Sequence, residues 1–356
     1  MSAKVVAVAG VTGAVGTEML RVLEAREFPV KKLVPLASAR SVGKKIEFAG
    51  EELEVQELTE SSFEGVEIAL FSAGGSRSKK FAPAAVASGA VVVDNSSAFR
   101  MDPDVPLVVP EVNAEAAKSH HGIIANPNCT TIMMVVQMWP IHRVAKVTRV
   151  VSCTYQAVSG TGAKAISELC SQACALVAGE GHPQYKEAAL LAGLGLRDDT
   201  PHVAREIERS IYPHQIAFNC LPHIGGFYPE GDTEEERKLV NETHKIFADD
   251  SVAIFGTTVR VPVFRAHSEA VHFQTAEPIS PEEVREVLSK APGVEVVDNP
   301  EKNEYPMPIY ATGRAEVFVG RIRRDPSVEN GMALFLAGDQ LLKGAALNAV
   351  QIAELL

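Results

Sequence analysis

Short apolar runs alternate with amphipathic stretches through the first third of the chain. Val5-Val6-Ala7-Val8-Ala9 is continuously apolar, as strands covered on both faces are. After it, Val15, Met19, Leu20 and Leu23 share one helical face. The pattern predicts further strands over Leu33–Ala37, Glu67–Phe71 and Ala90–Val93, with a helix running to Ser88. A short buried strand, Gly122-Ile123-Ile124-Ala125, follows. Beyond it, Ile132-Met133-Met134-Val135-Val136 is a helix apolar nearly all round. This β-α-β-α order predicts a doubly wound parallel sheet that binds ligands beyond the carboxyl ends of its strands. Ser72 to Gly75, Asn95, Ser96, Arg100 and Cys129 all lie on that edge.

After Cys129 the alternation breaks. Strand patterns span Thr148–Ala157, Val252–Phe264, Glu269–Thr275, Ala315–Gly320 and Met332–Leu336. Pro262 makes the second of these an edge strand or a bulge. Thr233 with Glu236 is a capping box opening a helix through Phe247, and Ser280-Pro281 opens another. The last helix carries an apolar stripe from 341 to 353 that must be buried, against the first domain. The expected fold is therefore α/β: an N-terminal doubly wound, Rossmann-like parallel sheet and a second, mixed α+β domain. The boundaries are 1–130, completed by 338–356, and 131–337. Residues 178–233 are irregular and rich in Pro, His and Gly, and are assigned to loops and an oligomer contact surface.

Composition removes several classes of function. With 356 residues and a net charge of −11, the chain has no basic field to hold nucleic acid, so any anionic ligand needs a few placed cations. No signal-peptide core follows Met1, and no apolar stretch is long enough to span a bilayer. Five cysteines, an odd number, argue against a disulfide scaffold and for a reducing cytoplasm. Cys170 and Cys174 fall on a helical pattern with Ile166, Leu169, Ala173, Leu176 and Val177 and are assigned to the core. No metal site is expected.

The chemistry is concentrated at turns. Gly10-Val11-Thr12-Gly13-Ala14-Val15-Gly16 follows a strand and opens a helix, the context in which a glycine-rich turn lays a pyrophosphate on free N–H groups. The next strand ends in Ser38-Ala39-Arg40-Ser41, without the carboxylate that would bind a ribose 2′-hydroxyl. A guanidinium there suits a 2′-phosphate, so NADP is expected over NAD. In Asn126-Pro127-Asn128-Cys129-Thr130-Thr131 the cysteine sits where a strand ends and a helix begins. The helix terminus favours a thiolate, and hence a nucleophile. Arg100 is a candidate anion ligand, Arg260 an anion clamp and His267 a proton carrier. Glu235 and Lys238 share a helix face and by themselves read as a solvated pair.

Taken together, Gly10–Gly16, Ser38–Ser41, Asp94-Asn-Ser-Ser-Ala-Phe-Arg100, Pro127-Asn-Cys-Thr130, Tyr155-Gln-Ala-Val-Ser-Gly160, Arg260-Val-Pro-Val263 with His267, and Gly338-Asp-Gln-Leu-Leu-Lys-Gly-Ala-Ala346 resemble the aspartate-β-semialdehyde dehydrogenase family, most closely its bacterial branch. The resemblance covers essentially the whole chain. It implies reversible NADPH-dependent reduction of L-aspartyl-4-phosphate to aspartate semialdehyde and inorganic phosphate, in the aspartate pathway to lysine, threonine and methionine. It implies Cys129 as nucleophile, His267 as acid/base and Gln156 as the residue orienting the thioester. The phosphate site would use Arg100, Asn128 and Lys238, and Glu235 and Arg260 would hold the substrate's amino and carboxylate ends. Cofactor contacts would come from Gly10, Thr12, Gly13, Ala14, Val15, Gly16, Ser38, Arg40, Ser41, Ser72, Gly74, Asn95, Ser159, Gly160 and Gln340. A homodimer or homotetramer is implied. The nearest rival is N-acetyl-γ-glutamyl-phosphate reductase, in which a glycine typically precedes the cysteine where this chain has Asn128. A thiol hydrolase working without nicotinamide and a cofactor-binding sensor without chemistry are rivals of other classes.

Overall fold

The computed structural model describes residues 2–178 and 209–356. The first eight strands are β1 (Lys4–Ala9), β2 (Val30–Ala37), β3 (Lys45–Phe48), β4 (Glu51–Glu54), β5 (Gln56–Glu57), β6 (Ile68–Phe71), β7 (Val91–Asp94) and β8 (Ile123–Ala125). Six of them form one sheet in the order β5-β2-β1-β6-β7-β8, and every neighbouring pair is parallel. From β1 the chain builds outward through β2 and β5, then returns to β6 on the other side. The order therefore reverses between β1 and β6, where a crevice opens at the carboxyl ends. Val6 to Ala9 are wholly buried, which accounts for the unbroken apolar run. The β3–β4 hairpin is an addition to the sequence reading. Its strands, Lys-Ile-Glu-Phe and Glu-Glu-Leu-Glu, are too short and too charged to register as alternation.

The second sheet contains β9 (Val147–Gln156), β10 (Ala253–Arg260), β11 (His267–Thr275), β12 (Val294–Val296), β13 (Val317–Arg324) and β14 (Gly331–Gly338), in the order β10-β9-β11-β14-β13-β12. It is mixed, with β9 parallel to β10 and antiparallel to β11. β10 is an edge strand as Pro262 requires, but it stops at Arg260 rather than reaching Phe264, because proline cannot donate to a ladder. The helix Cys129–Ala145 lies on the inner face of this sheet. Ile132, Met133, Val135, Val136 and Ile141 share one core with Val150, Val271, Phe273 and Leu334. At the far end of the chain, Leu347, Val350, Ile352 and Ala353 share a core with Val6, Val8, Met19 and Leu23.

One assignment is corrected. Cys170 and Cys174 are exposed, because the helix Ala163–Ala178 buries the face carrying Ala165, Leu169 and Gln172 instead. The side chains of Leu176 and Val177, and most of the irregular 178–233 stretch, lie outside the described residues.

Candidate active site

β8 delivers the chain to Asn126, whose N–H is tied to the carbonyl of Asp94. Two residues on, Asn128 takes an extended backbone and caps the next helix. Its Oδ1 accepts from the Thr130 N–H at 3.0 Å, the Thr131 N–H at 3.5 Å and the Thr130 hydroxyl at 2.6 Å. Cys129 is thus the first helical residue, as the turn chemistry predicts. The asparagine and threonines around it are first of all the cap that holds it there.

A second helix, Glu234–Phe247, brings two carboxylates to this junction. Its capping box forms as expected, with Thr233 and Glu236 each bonding the other's N–H. Glu235 is buried. Its Oε1 accepts from Asn128 Nδ2 at 3.0 Å and Gln156 Nε2 at 3.2 Å, and its Oε2 from Lys238 at 3.2 Å. Burial alone would raise this carboxyl, but Lys238, Asn128 and Gln156 outweigh it and hold it below the usual range. The pair that looks solvated by spacing is therefore part of a buried cluster. Two turns on, Glu242 accepts the Asn128 N–H at 2.6 Å and pairs with Arg100 Nη1 at 2.9 Å, both side chains buried. Arg100 also donates to the carbonyls of Asn126 and Asn95. Glu242 was not singled out from sequence. The signal was there: an acidic residue flanked by Leu239 and Ile246 on the helix's apolar face.

Strand register assembles the other wall. Arg260 and Gln156 are direct partners at the ends of β10 and β9, and His267 opens β11 opposite Gly338. Arg260 Nη1 donates to the Ala157 carbonyl at 2.7 Å. The Ala157 N–H donates to His267 Nδ1 at 3.0 Å. A ring nitrogen that accepts a backbone N–H carries no proton, so neutral His267 holds its proton on Nε2. Nε2 is buried with no partner among the described residues. Guanidinium and imidazole converge on one turn: a Cβ on Gly160 would stand 3.0 Å from Arg260 Nη1 and 3.2 Å from His267 Nε2. Next door, the Ser159 hydroxyl accepts from Gln340 Nε2, while Gln340 Oε1 accepts the Ala266 N–H at 2.9 Å. Gly344 closes the far side, since a Cβ there would be 2.8 Å from Cys129 Cβ.

The standing thiolate expected for Cys129 is not what the structure holds. Packing around the sulfur, then the Glu235 charge, push the thiol up to about 12, outweighing Arg260, Arg100 and the Thr130 N–H. Burial and Arg260 likewise drive His267 well below its ordinary value. At rest the site pairs a thiol with a neutral imidazole.

One further buried acid lies on the same face of β11. Glu269 Oε2 accepts from the Ser152 hydroxyl at 2.8 Å, and burial raises the carboxyl to about 8, with Ser152 opposing and Glu235 adding. Its unperturbed value is 4.5 and that of His267 is 6.5. Folding takes up a proton at Glu269 between 4.5 and about 8, so stability falls as pH rises through that window. Folding releases one at His267 below 6.5, so stability there falls as pH drops. Where the windows overlap, the two slopes cancel. Urea midpoints are expected to decline from pH 6.5 to 8, and Glu269→Gln should flatten that decline. An unchanged slope in the variant would overturn the assignment.

The edge of the first sheet meets the needs of a dinucleotide. Gly10 has φ +89°, and a Cβ on it would lie 2.3 Å from the Ser72 carbonyl oxygen. One on Gly16 would lie 2.2 Å from the Gly10 oxygen. The helix Ala14–Ala25 begins with no side-chain cap, leaving its first N–H groups for a phosphate. Thr12 and Ser41 hydroxyls lie 3.3 Å apart, and Arg40 is exposed in the single turn Ala39–Ser41 after β2. Ser38 precedes that turn, and Gly74, at φ +86°, precedes the helix after β6. Among the described residues there is no cluster of metal-binding side chains, and no helix is long and apolar enough to cross a membrane.

Two family models match the chain: "Semialdehyde dehydrogenase, NAD binding domain" over residues 5–120 and "Semialdehyde dehydrogenase, dimerisation domain" over residues 138–343. The aspartate-semialdehyde dehydrogenase of Aquifex aeolicus is 53% identical over 99% of this chain and 97% of its own length. That of Bacillus subtilis is 47% identical over 98% and 96%. The crystal structure of aspartate semialdehyde dehydrogenase II from Vibrio cholerae, complexed with ASA, superposes with a TM-score of 0.90 at 44% identity, covering 100% of this chain and 98% of that one.

Proposed function

The chain belongs to the aspartate-semialdehyde dehydrogenase family, and from that premise we propose how its residues reduce L-aspartyl-4-phosphate to aspartate semialdehyde and phosphate. The reading is carried by one juxtaposition. The cysteine that starts a helix at the carboxyl edge of a dinucleotide-type sheet shares its walls with Arg260, His267 and Glu235. Glu235 is the anchor for the substrate ammonium and Arg260 the clamp for its α-carboxylate. Arg100 and Lys238 offset the phosphate's charge, and Asn128 holds the helix start and Glu235 in register with them. The Cys129 sulfur bonds the acyl carbon as the carbon–oxygen bond to phosphate breaks, and the thiol proton leaves on the departing phosphate, giving a thioester oriented by Gln156. A dihydronicotinamide nucleotide held by the Gly10–Gly16 turn would supply the hydride that this thioester needs. His267 then presents Nε2–H to the charge that forms as the carbon–sulfur bond breaks.

For the cofactor, the uncapped helix start takes the pyrophosphate, and the turn after β2 presents Arg40 where a 2′-phosphate would lie, which favours NADP. Arg40→Ala is expected to weaken NADPH more than NADH, lowering the ratio of the two kcat/KM values by about tenfold, the worth of one charge-assisted contact. An unchanged ratio would remove the NADP assignment while leaving the chemistry standing.

The cofactor unit of this reading is residues 1–130 with 338–356, and residues 131–337 carry catalysis and self-association. A homodimer fits the outer face of the second sheet, where Phe255 is 63% exposed and Tyr155 40%. The assay that tests the whole reading is phosphate-dependent NADP reduction with aspartate semialdehyde, run beside N-acetylglutamate semialdehyde. Turnover on the acetylated substrate alone would sink it.

A further inference from the structure

The C-terminal segment contains a fully buried lysine that none of the steps above employs. Lys343 sits in a π-helical turn, Leu342–Ala346. It donates to Glu111 Oε2 at 2.5 Å, Asn348 Oδ1 at 2.8 Å and Gln351 Oε1 at 2.8 Å. An ammonium can only donate, so Asn348 must turn its oxygen toward Lys343 and its Nδ2 away. That Nδ2 donates to the Val108 carbonyl at 3.0 Å and to Asn126 Oδ1 at 2.6 Å. With its oxygen taken, Asn126 must present Nδ2 on its other side, where it donates to Asn95 Oδ1 and, at 3.4 Å, to the Ala345 carbonyl. The sequence ends on Asn95, whose Nδ2 is left with no partner among the described residues.

We propose that Lys343, Asn348 and Asn126 form a directional hydrogen-bond relay that fixes Asn95 as a donor toward the carboxamide oxygen of the nicotinamide ring. Asn348 is thereby a positioning residue for the cofactor, although it lies on the helix Leu347–Ala353. The placement of the ring rests on the functional reading above. Asn95 follows β7, two strands (about 10 Å) from the glycine turn of β1 and one strand from β8, which leads to Cys129. A dinucleotide with its 2′-phosphate end over β2 and its pyrophosphate over β1 has its reactive ring on this side. Every orientation in the relay follows from groups with a single hydrogen-bonding sense, the ammonium and two backbone carbonyls, so no amide can be reversed without opposing like atoms.

The test compares full-length variants by the dissociation constants of NADPH and of 2′-phospho-ADP-ribose, which lacks the ring. Asn95→Asp keeps the oxygen that accepts from Asn126 and replaces the free donor by an acceptor. Asn348→Leu removes the relay's middle link at nearly constant volume, and Asn348→Asp is the alternative should the leucine variant not fold. Both substitutions are expected to weaken NADPH about tenfold, the worth of one oriented hydrogen bond, and to leave the ring-less fragment within about twofold. If Asn95→Asp leaves NADPH binding unchanged, the ring does not lie at Asn95 and the underlying reading fails. If Asn95→Asp weakens NADPH but neither Asn348 variant does, the relay alone is overturned. Equal weakening of NADPH and fragment by the Asn348 variants would also overturn it, because that is what loss of packing produces.

Discussion

Cys129→Ala is expected to lower kcat by at least about 10⁴-fold while NADPH still binds within a few-fold of the parent, as nucleophile deletions do in enzymes that work through a covalent intermediate. The side chain removed is small and stands at a helix start capped by Asn128 rather than by itself, so the fold should survive. NADPH fluorescence measures the binding and phosphate-dependent NADP reduction the turnover. Residual turnover above about one per cent would show that the sulfur is not the nucleophile. The same sulfur carries a pH signature. With the thiol held at about 12, the thiolate fraction at neutral pH is on the order of 10⁻⁵. Iodoacetamide should therefore alkylate the ligand-free enzyme slowly, and about tenfold faster for each unit of pH between 7 and 9. A plateau beginning below pH 8 would mean that the resting sulfur is ionised after all.

Glu242→Leu is expected to cost about 3–5 kcal/mol of stability, because it leaves the buried Arg100 guanidinium without its counter-charge. On balance burial outweighs Arg100 at this carboxyl and raises it, yet both of its oxygens remain engaged, one by Arg100 and one by the Asn128 N–H. Turnover should fall with stability, since the same substitution releases the residue that caps the Cys129 helix. Removing both charges, Glu242→Leu with Arg100→Met, should recover much of the stability and none of the activity. Urea midpoints of the two singles and the double decide it. A Glu242→Leu variant within about 1 kcal/mol of the parent would show that the pair is not a buried charge pair.

The sequence made most of this site legible because its chemistry sits where local rules are strong. Glycines at a strand-to-helix turn, an asparagine before a helix, a threonine three residues ahead of a glutamate and a proline ending an edge strand each impose their geometry within a few residues. These rules located Cys129, Gly10 to Gly16 and the start of the Glu234–Phe247 helix, and they marked β10 as an edge strand, although it ends at Arg260, short of the expected Phe264. What they could not supply is long-range pairing. Glu235 looks like half of a solvated pair until Asn128 and Gln156, distant in sequence, are seen to bond it. Glu242 gains meaning only from Arg100, and Lys245 from the carbonyls of Arg100, Asp102 and Val105 that it gathers. The thiolate expectation failed for a related reason. A helix start lowers a cysteine's pKa, but the surrounding protein matter that overrides it is contributed by other elements.

Gly344 leaves no room for a side chain beside the β-carbon of Cys129, so part of the wall around the sulfur is made by a stretch translated long after it. A nascent chain that has already produced the thiol, both carboxylates and the imidazole still has an open flank at that cysteine. The π-helical turn packs against the helices Ala14–Ala25 and Cys129–Ala145, so the enclosure of that sulfur depends on residues near the end of the chain.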